Sequence, residues 1–193
     1  MGLSLESVLG KINLIRQNKP KVIIAIDGRS AAGKSTLAAS LKERLECNII
    51  PMDHFFLRPH QRTPQRLQEP GGNVDYERFL KEVLHPLTKK EAFSYRPYNC
   101  KKDEMDPPIS IVAKEINIVE GAYSCHPLFL NFYDLKVFLT VEAKEQLERI
   151  KNRNGEKVGR VFQEKWIPLE ENYFKGMRLG GVYEVVVDTT TRL

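Results

Sequence analysis

Residues 28–36 read Gly28-Arg29-Ser30-Ala31-Ala32-Gly33-Lys34-Ser35-Thr36, a match to the pattern G-x-x-x-x-G-K-[ST]. No other stretch constrains the fold as strongly, because this pattern works only between a buried strand and a helix N-terminus. The flanks supply both. Residues 21–27, Lys-Val-Ile-Ile-Ala-Ile-Asp, are a short β-branched apolar run that predicts a strand. From Leu37 to Leu45 apolar residues recur at helical spacing. In that context the loop amides and the helix N-terminus surround the phosphates of a nucleotide. Lys34 reaches the β and γ oxygens, and the Ser35 hydroxyl can ligate Mg²⁺. A turn that merely tolerates glycine would leave Lys34 and Ser35 unexplained.

With 193 residues the chain suffices for one well-buried α/β domain and is short for two. Its composition, 41% hydrophobic and 28% charged, is that of a globular protein. No apolar run approaches the ~20 residues that span a bilayer, and residues 1–18 lack the pattern of a signal peptide. Leu5, Val8, Leu9, Ile12 and Ile15 instead form a helical stripe, so an amphipathic helix over 1–18 and a cytoplasmic location are expected. Cys47, Cys100 and Cys125 have neither zinc-binding nor redox-pair spacing and read as free thiols of a reducing compartment. The net charge of +5 is scattered without aromatic interleaving, which argues against nucleic acid as the main partner. A site for a polyanionic nucleotide accounts for part of the surplus.

Further strands are predicted over 47–52, 115–121, 135–140 and 183–188, with helices over 75–87, 142–151 and, kinked at Pro168, over 161–174. Strands alternating with helices imply a five-stranded, mainly parallel sheet covered on both faces. Two segments, 54–73 and 88–108, read as irregular, and long loops in such folds commonly carry function. Residues 152–160 read as a basic, glycine-containing connector.

Ligands of open α/β sheets sit beyond the carboxyl ends of the strands. Asp53 and Glu120 each end a predicted strand there, alongside the glycine loop. A metal-dependent phosphoryl transfer needs one acid near the metal and one near the accepting hydroxyl. Taken singly, either residue could simply cap the segment that follows. Together with the loop they form a catalytic set. His54 adjoins Asp53 and could touch substrate, while His60, His85 and His126 lack metal spacing.

The segments Asp27–Thr36, Met52-Asp53-His54-Phe55-Phe56, Gly72-Asn73-Val74-Asp75-Tyr76, Val119-Glu120-Gly121 and Arg149-Ile150-Lys151-Asn152-Arg153 resemble the uridine kinase-like branch of P-loop kinases. That branch includes uridine-cytidine kinases, nicotinamide riboside kinases, phosphoribulokinases and bacterial pantothenate kinases. The resemblance covers about residues 20–185. It implies the P-loop nucleoside triphosphate hydrolase fold and a single kinase domain over 1–193, with an acceptor-binding insertion at 54–108 and a lid at 149–160. It implies Asp53 as base or orienter of the acceptor hydroxyl, Glu120 beside Mg²⁺, Asp75 near the acceptor's ribose, and Arg149 and Arg153 over the transferring phosphate. Two departures stand out. Asn154 replaces the aspartate that usually follows the second lid arginine, and no histidine follows Tyr98, where pyrimidine kinases carry one.

The reading is an ATP- and Mg²⁺-dependent small-molecule kinase. Gly28, Arg29, Ser30, Ala31, Ala32, Gly33, Lys34, Ser35 and Thr36 bind ATP, and Ser35 and Glu120 hold the metal. Asp53, Lys34, Arg149 and Arg153 serve catalysis; Asp53, His54, Asp75 and Tyr98 meet the acceptor. The acceptor is the 5′-hydroxyl of a ribonucleoside such as uridine or cytidine, with nicotinamide riboside, pantothenate or a sugar phosphate as alternatives. Self-association stays open. A nucleotide-binding regulatory protein of low turnover is the rival class, but a guanine-reading N-K-x-D motif is not found.

Overall fold

The computed structural model describes residues 2–89, 91–177 and 180–191. The chain begins with α1 (Gly2–Arg16), β1 (Val22–Gly28), α2 (Lys34–Arg44) and β2 (Cys47–Pro51). Turns of 3-10 helix at Met52–Phe55 and Pro59–Gln61 lead into α3 (Pro64–Gln68). A helical run follows, made of α4 (Tyr76–Phe79), a π turn (Leu80–Leu84) and α5 (His85–Lys89). Next come β3 (Phe93–Tyr95), β4 (Tyr98–Asn99), β5 (Glu104–Met105), β6 (Ile109–Ile111) and β7 (Ile116–Glu120). The remainder is β8 (Leu135–Thr140), α6 (Ala143–Asn154), α7 (Glu156–Val161), a π turn (Phe162–Trp166), α8 (Ile167–Gly176) and β9 (Val185–Asp188). No helix among the described residues is long and apolar enough to cross a membrane.

Five strands form one sheet in the order β2-β7-β1-β8-β9, parallel at every pairing. Alternation along each strand sends side chains to two separate cores. From β1 and β7, Ile24, Ile26, Ile116 and Ile118 join Val8 and Ile12 of α1 and Leu37 and Leu41 of α2 on one face. Ala25 and Val119 face the other way, onto Phe55, Phe79, Phe129 and Tyr173. A sheet buried on both faces is what the near-continuous apolar runs at 22–26 and 116–119 encode. The amphipathic helix expected over 1–18 is α1; Met1 lies outside the described residues.

Three segments differ from expectation. Residues 88–108 are not irregular throughout: β3 pairs antiparallel with β6, and β4 with β5 across a turn closed by Asp103 in a left-handed conformation. Residues 152–160 are helical, because α6 runs on through Asn154 and α7 begins at Glu156. The lysines, glutamates and arginines there favour helix, and Gly155, at φ 85°, is the single break. The ion pair Lys151–Glu156, at 3.0 Å, bridges that break. The helix expected over 161–174 lies in a helical run from Glu156 to Gly176 that takes a π turn at Phe162–Trp166. Pro168 comes just after that turn, in the first turn of α8, and a proline there cannot donate to a preceding helical carbonyl.

The carboxylate of Asp27, fully buried near the end of β1, ties these layers together. It accepts the amides of Gly28 at 2.7 Å, Tyr123 at 3.1 Å and Cys125 at 2.9 Å, and the Tyr173 hydroxyl at 2.8 Å. Burial pushes its pKa up, and those hydrogen bonds together with the Lys34 charge pull it back. Gly28 must be glycine for a second reason. Its φ is 137°, and a Cβ there would lie 2.0 Å from the Leu139 carbonyl oxygen. Tyr173→Phe removes one donor from a buried carboxylate and is expected to cost about 1.5–3 kcal/mol. The loss should appear as a lower urea midpoint at unchanged slope; an unshifted midpoint would show that the other donors suffice.

Candidate active site

The order β2-β7-β1 makes neighbours of three chain segments far apart in sequence. Glu120, the last residue of β7, pairs with Pro51 on one side and Ile26 on the other. Asp53 follows Pro51 by two residues, and the glycine loop starts two residues after Ile26. Loop, Glu120 and Asp53 therefore share the carboxyl edge of the sheet, as ligand sites of open α/β folds do.

Lys34, in the first turn of α2, is buried, and its ammonium donates to the carbonyls of Gly28 at 2.9 Å and Arg29 at 2.8 Å. Those bonds fold the side chain back onto the start of the loop. Ala31, at φ 59°, and Gly33, at φ 91°, give the loop two left-handed residues, a backbone feature of anion-binding nests. Arg29 pairs with Glu171 and bonds the Thr140 hydroxyl at 3.1 Å. Ser30 is held by a group that the sequence reading missed. The carboxylate of Glu170, buried in α8, accepts the Ser30 amide at 3.0 Å and also its hydroxyl.

The Ser35 hydroxyl donates to Glu120, 3.2 and 3.1 Å from its two oxygens. Burial raises the Glu120 pKa, with Asp53 nearby adding to the rise, while Ser35 and Lys34 oppose it. Asp53 itself is exposed, in the 3-10 turn after β2. A hydroxyl and two carboxylates offer hard oxygen donors, the set that suits Mg²⁺, which keeps several waters and takes few protein ligands. The residues fit that ion.

The residues expected on the acceptor side divide. His54 turns away from the loop, its Nδ1 3.0 Å from the Tyr95 hydroxyl, and burial lowers its pKa. The Tyr98 hydroxyl is bound by Asp103 and, at 3.0 Å, by Arg62. In the same hairpin burial raises the Cys100 pKa, Arg62 opposes the rise, and the Asp53 and Asp103 charges add to it. Asp75 is buried and caps α4, one oxygen accepting the Arg78 amide at 3.2 Å. Its other oxygen takes Gln61 at 3.0 Å and lies 3.4 Å from both Arg58 and Arg78. Only the first oxygen keeps a free lone pair. Asp75 also borders a cleft of about 710 Å³ lined with Arg58, Arg66 and Arg78.

The two arginines expected in the lid differ in their contacts. Arg149 reaches the Ala31 carbonyl at 3.4 Å and the Thr189 carbonyl at 2.5 Å, bracing the loop from behind. Arg153 is exposed and bonds the Asn154 side chain at 2.8 Å, a neutral partner in place of an ion pair.

Because folding raises the Glu120 pKa, the folded protein binds that proton more tightly than the unfolded chain. The resulting stability is fully present below the unfolded value of about 4.3 and is lost as pH rises through the folded value. Glu120→Gln should therefore stabilise the ligand-free protein by an amount that grows as pH climbs from about 4 toward neutrality. Urea titrations across that range test it; a gain independent of pH would contradict the assignment.

No protein-family model matches the chain. Among solved structures, it is similar to a possible uridine kinase from Bacillus stearothermophilus, with a TM-score of 0.74 and 18% identity over 97% of this chain and 100% of that one. A candidate fructose transport system kinase from Silicibacter gives a TM-score of 0.73 and 21% identity, covering 95% of this chain and 98% of that one. A candidate P-loop-containing kinase with a circular permutation, from Saccharomyces cerevisiae, gives 0.68 and 13%, covering 97% and 98%. The likeness extends over essentially whole chains, and the chain has the P-loop fold of these proteins, a parallel sheet flanked by helices.

Proposed function

We propose that this protein is a small-molecule kinase that transfers the γ-phosphoryl group of ATP to a primary hydroxyl. The observation that carries the reading is the meeting of Lys34, Ser35, Glu120 and Asp53 at the ends of three adjacent parallel strands. A loop that only bound nucleotide would need no exposed second acid across from it. In this reading the loop amides and Lys34 take the phosphates. Ser35 and Glu120 would hold Mg²⁺, which would neutralise charge shared by the β- and γ-phosphates. The acceptor oxygen attacks phosphorus as the bond to the β-phosphate oxygen breaks, and Asp53 receives or aligns the hydroxyl proton. Arg153 is the lid arginine available to the transferring group, while Arg149 keeps Ala31 and its amide in place.

The acceptor is read as the 5′-hydroxyl of a ribonucleoside. The free lone pair of Asp75, the adjoining cleft and the likeness to a possible uridine kinase support it. With Tyr98 tied to Asp103 and Arg62, base discrimination is expected to be modest. A coupled ADP-release screen of nucleosides, vitamins and sugar phosphates tests the acceptor. Turnover of pantothenate or a sugar phosphate without any ribonucleoside would keep the kinase and remove the nucleoside.

Asp53→Asn is expected to bind nucleotide normally and lose about 10²–10⁴-fold in kcat, the usual contribution of a general base. A change confined to KM would make Asp53 a binding residue only. Lys34→Ala should abolish transfer and weaken ATP binding, both measurable by calorimetry and the same coupled assay. Near-normal turnover by the folded variant would remove the phosphate site assigned to the loop.

A further inference from the structure

Glu170 is the buried acid that this mechanism does not use. Its carboxylate engages both donors of Ser30, the backbone amide and the hydroxyl, on the rim of the loop. It also lies in the field of Lys34, whose charge lowers its pKa against a rise imposed by burial. An amide and a hydroxyl on one anion, with an ammonium in its field, are donors a phosphate would also use, and here a side chain of the protein itself takes them. Glu171 adds a neighbouring contact by pairing with Arg29, so the start of α8 grips the loop at two successive residues. One turn later Tyr173 is bonded to Asp27, which fixes α8 to the sheet.

We propose that Glu170 is an internal competitor for the terminal phosphate of the nucleotide, and so sets the preference of the loop between diphosphate and triphosphate. The inference rests on the nucleotide-binding reading above. A β-phosphate sits at the centre of the loop, on the amides at the start of α2 and on Lys34. That position leaves Glu170 on Ser30. A γ-phosphate extends beyond Lys34 toward the same rim and needs the donors that Glu170 holds. The Ser30 amide has one hydrogen to give, and a carboxylate and a phosphoryl group in a partly desolvated site repel each other. The carboxylate must therefore leave when triphosphate binds. Because Tyr173 anchors α8, the part displaced is Glu170 itself and the first turn of the helix, which continues directly from the α7 segment through the π turn. Triphosphate binding is thereby coupled to the segment that carries the lid, and diphosphate binding is not.

The test compares ADP with a non-hydrolysable ATP analogue, both with Mg²⁺, by calorimetry on wild type, Glu170→Gln and Glu170→Ala. Either substitution should tighten the analogue roughly tenfold, the scale of removing one competing charged hydrogen bond. ADP affinity should stay within about twofold. Hydrogen exchange on the wild-type protein supplies a measurement that needs no variant. Residues 162–172 should lose protection with the analogue and keep it with ADP. An unchanged or smaller preference for triphosphate in both variants, or equal exchange with the two nucleotides, would overturn the proposal and leave Glu170 as a brace for the loop. Failure of wild type to bind ADP at all would instead overturn the nucleotide reading on which it stands.

Discussion

A single buried carboxylate organises this protein. Asp27 gathers donors from the glycine loop, from the turn after β7 and from α8, and so joins the ends of three elements at one buried point. A buried charge is tolerated only when it is fully hydrogen-bonded, and breaking such a set costs more than any one bond contributes. The apolar cores on the two faces of the sheet set overall stability. Asp27 sets something narrower: where the loop stands relative to Tyr123 and Tyr173. Tyr123 is held at φ 73°, a conformation rare for a tyrosine, and its amide points at Asp27. Local strain of that kind persists where surrounding bonds over-determine it.

The electrostatics of the site follow from the same crowding. Asp27, Glu120 and Glu170 are all buried near Lys34, and burial raises all three carboxyls. One buried ammonium cannot balance three acids, so the site shares its protons and donors. Ser35 leans on Glu120, Ser30 on Glu170, and Lys34 on backbone carbonyls. Each of these bonds engages a group that phosphate or a divalent cation would also engage. The protein satisfies these groups internally.

Much of the fold was legible from local sequence. The apolar runs at 22–26, 47–50, 116–119, 135–139 and 185–187 located all five parallel strands, and the glycine pattern placed the loop between β1 and α2. Asp53 and Glu120 were legible because strand-end position is a local property. Other features were not. Glu170 meets Ser30 across 140 residues, and no spacing rule encodes that contact. Asp75 and Tyr98 drew attention as polar groups near the acceptor, but a sequence does not show which polar groups satisfy one another, and Arg58, Gln61, Arg78, Arg62 and Asp103 already engage them. The segment 152–160 looked like a loop because of its glycines and charges. Helix propensity over the whole stretch outweighed two glycines, one of which, Gly159, makes room for the Lys151 side chain.

The position of β7 bears on how such a chain acquires its structure. β1 and β2 come first in the sequence yet do not pair; each pairs with β7, which is inserted between them. The donors that fix Asp27 arrive later still, 96, 98 and 146 residues downstream. Non-local parallel pairing is slow to form, and a chain emerging from its N-terminus cannot form it before the partners exist. During synthesis, the glycine loop is therefore exposed without its anchor until α8 has been made. The glycine loop cannot gain its full set of contacts ahead of the last quarter of the chain, so a truncated chain that retains the complete G-x-x-x-x-G-K-S motif still lacks the contacts that give the motif its shape.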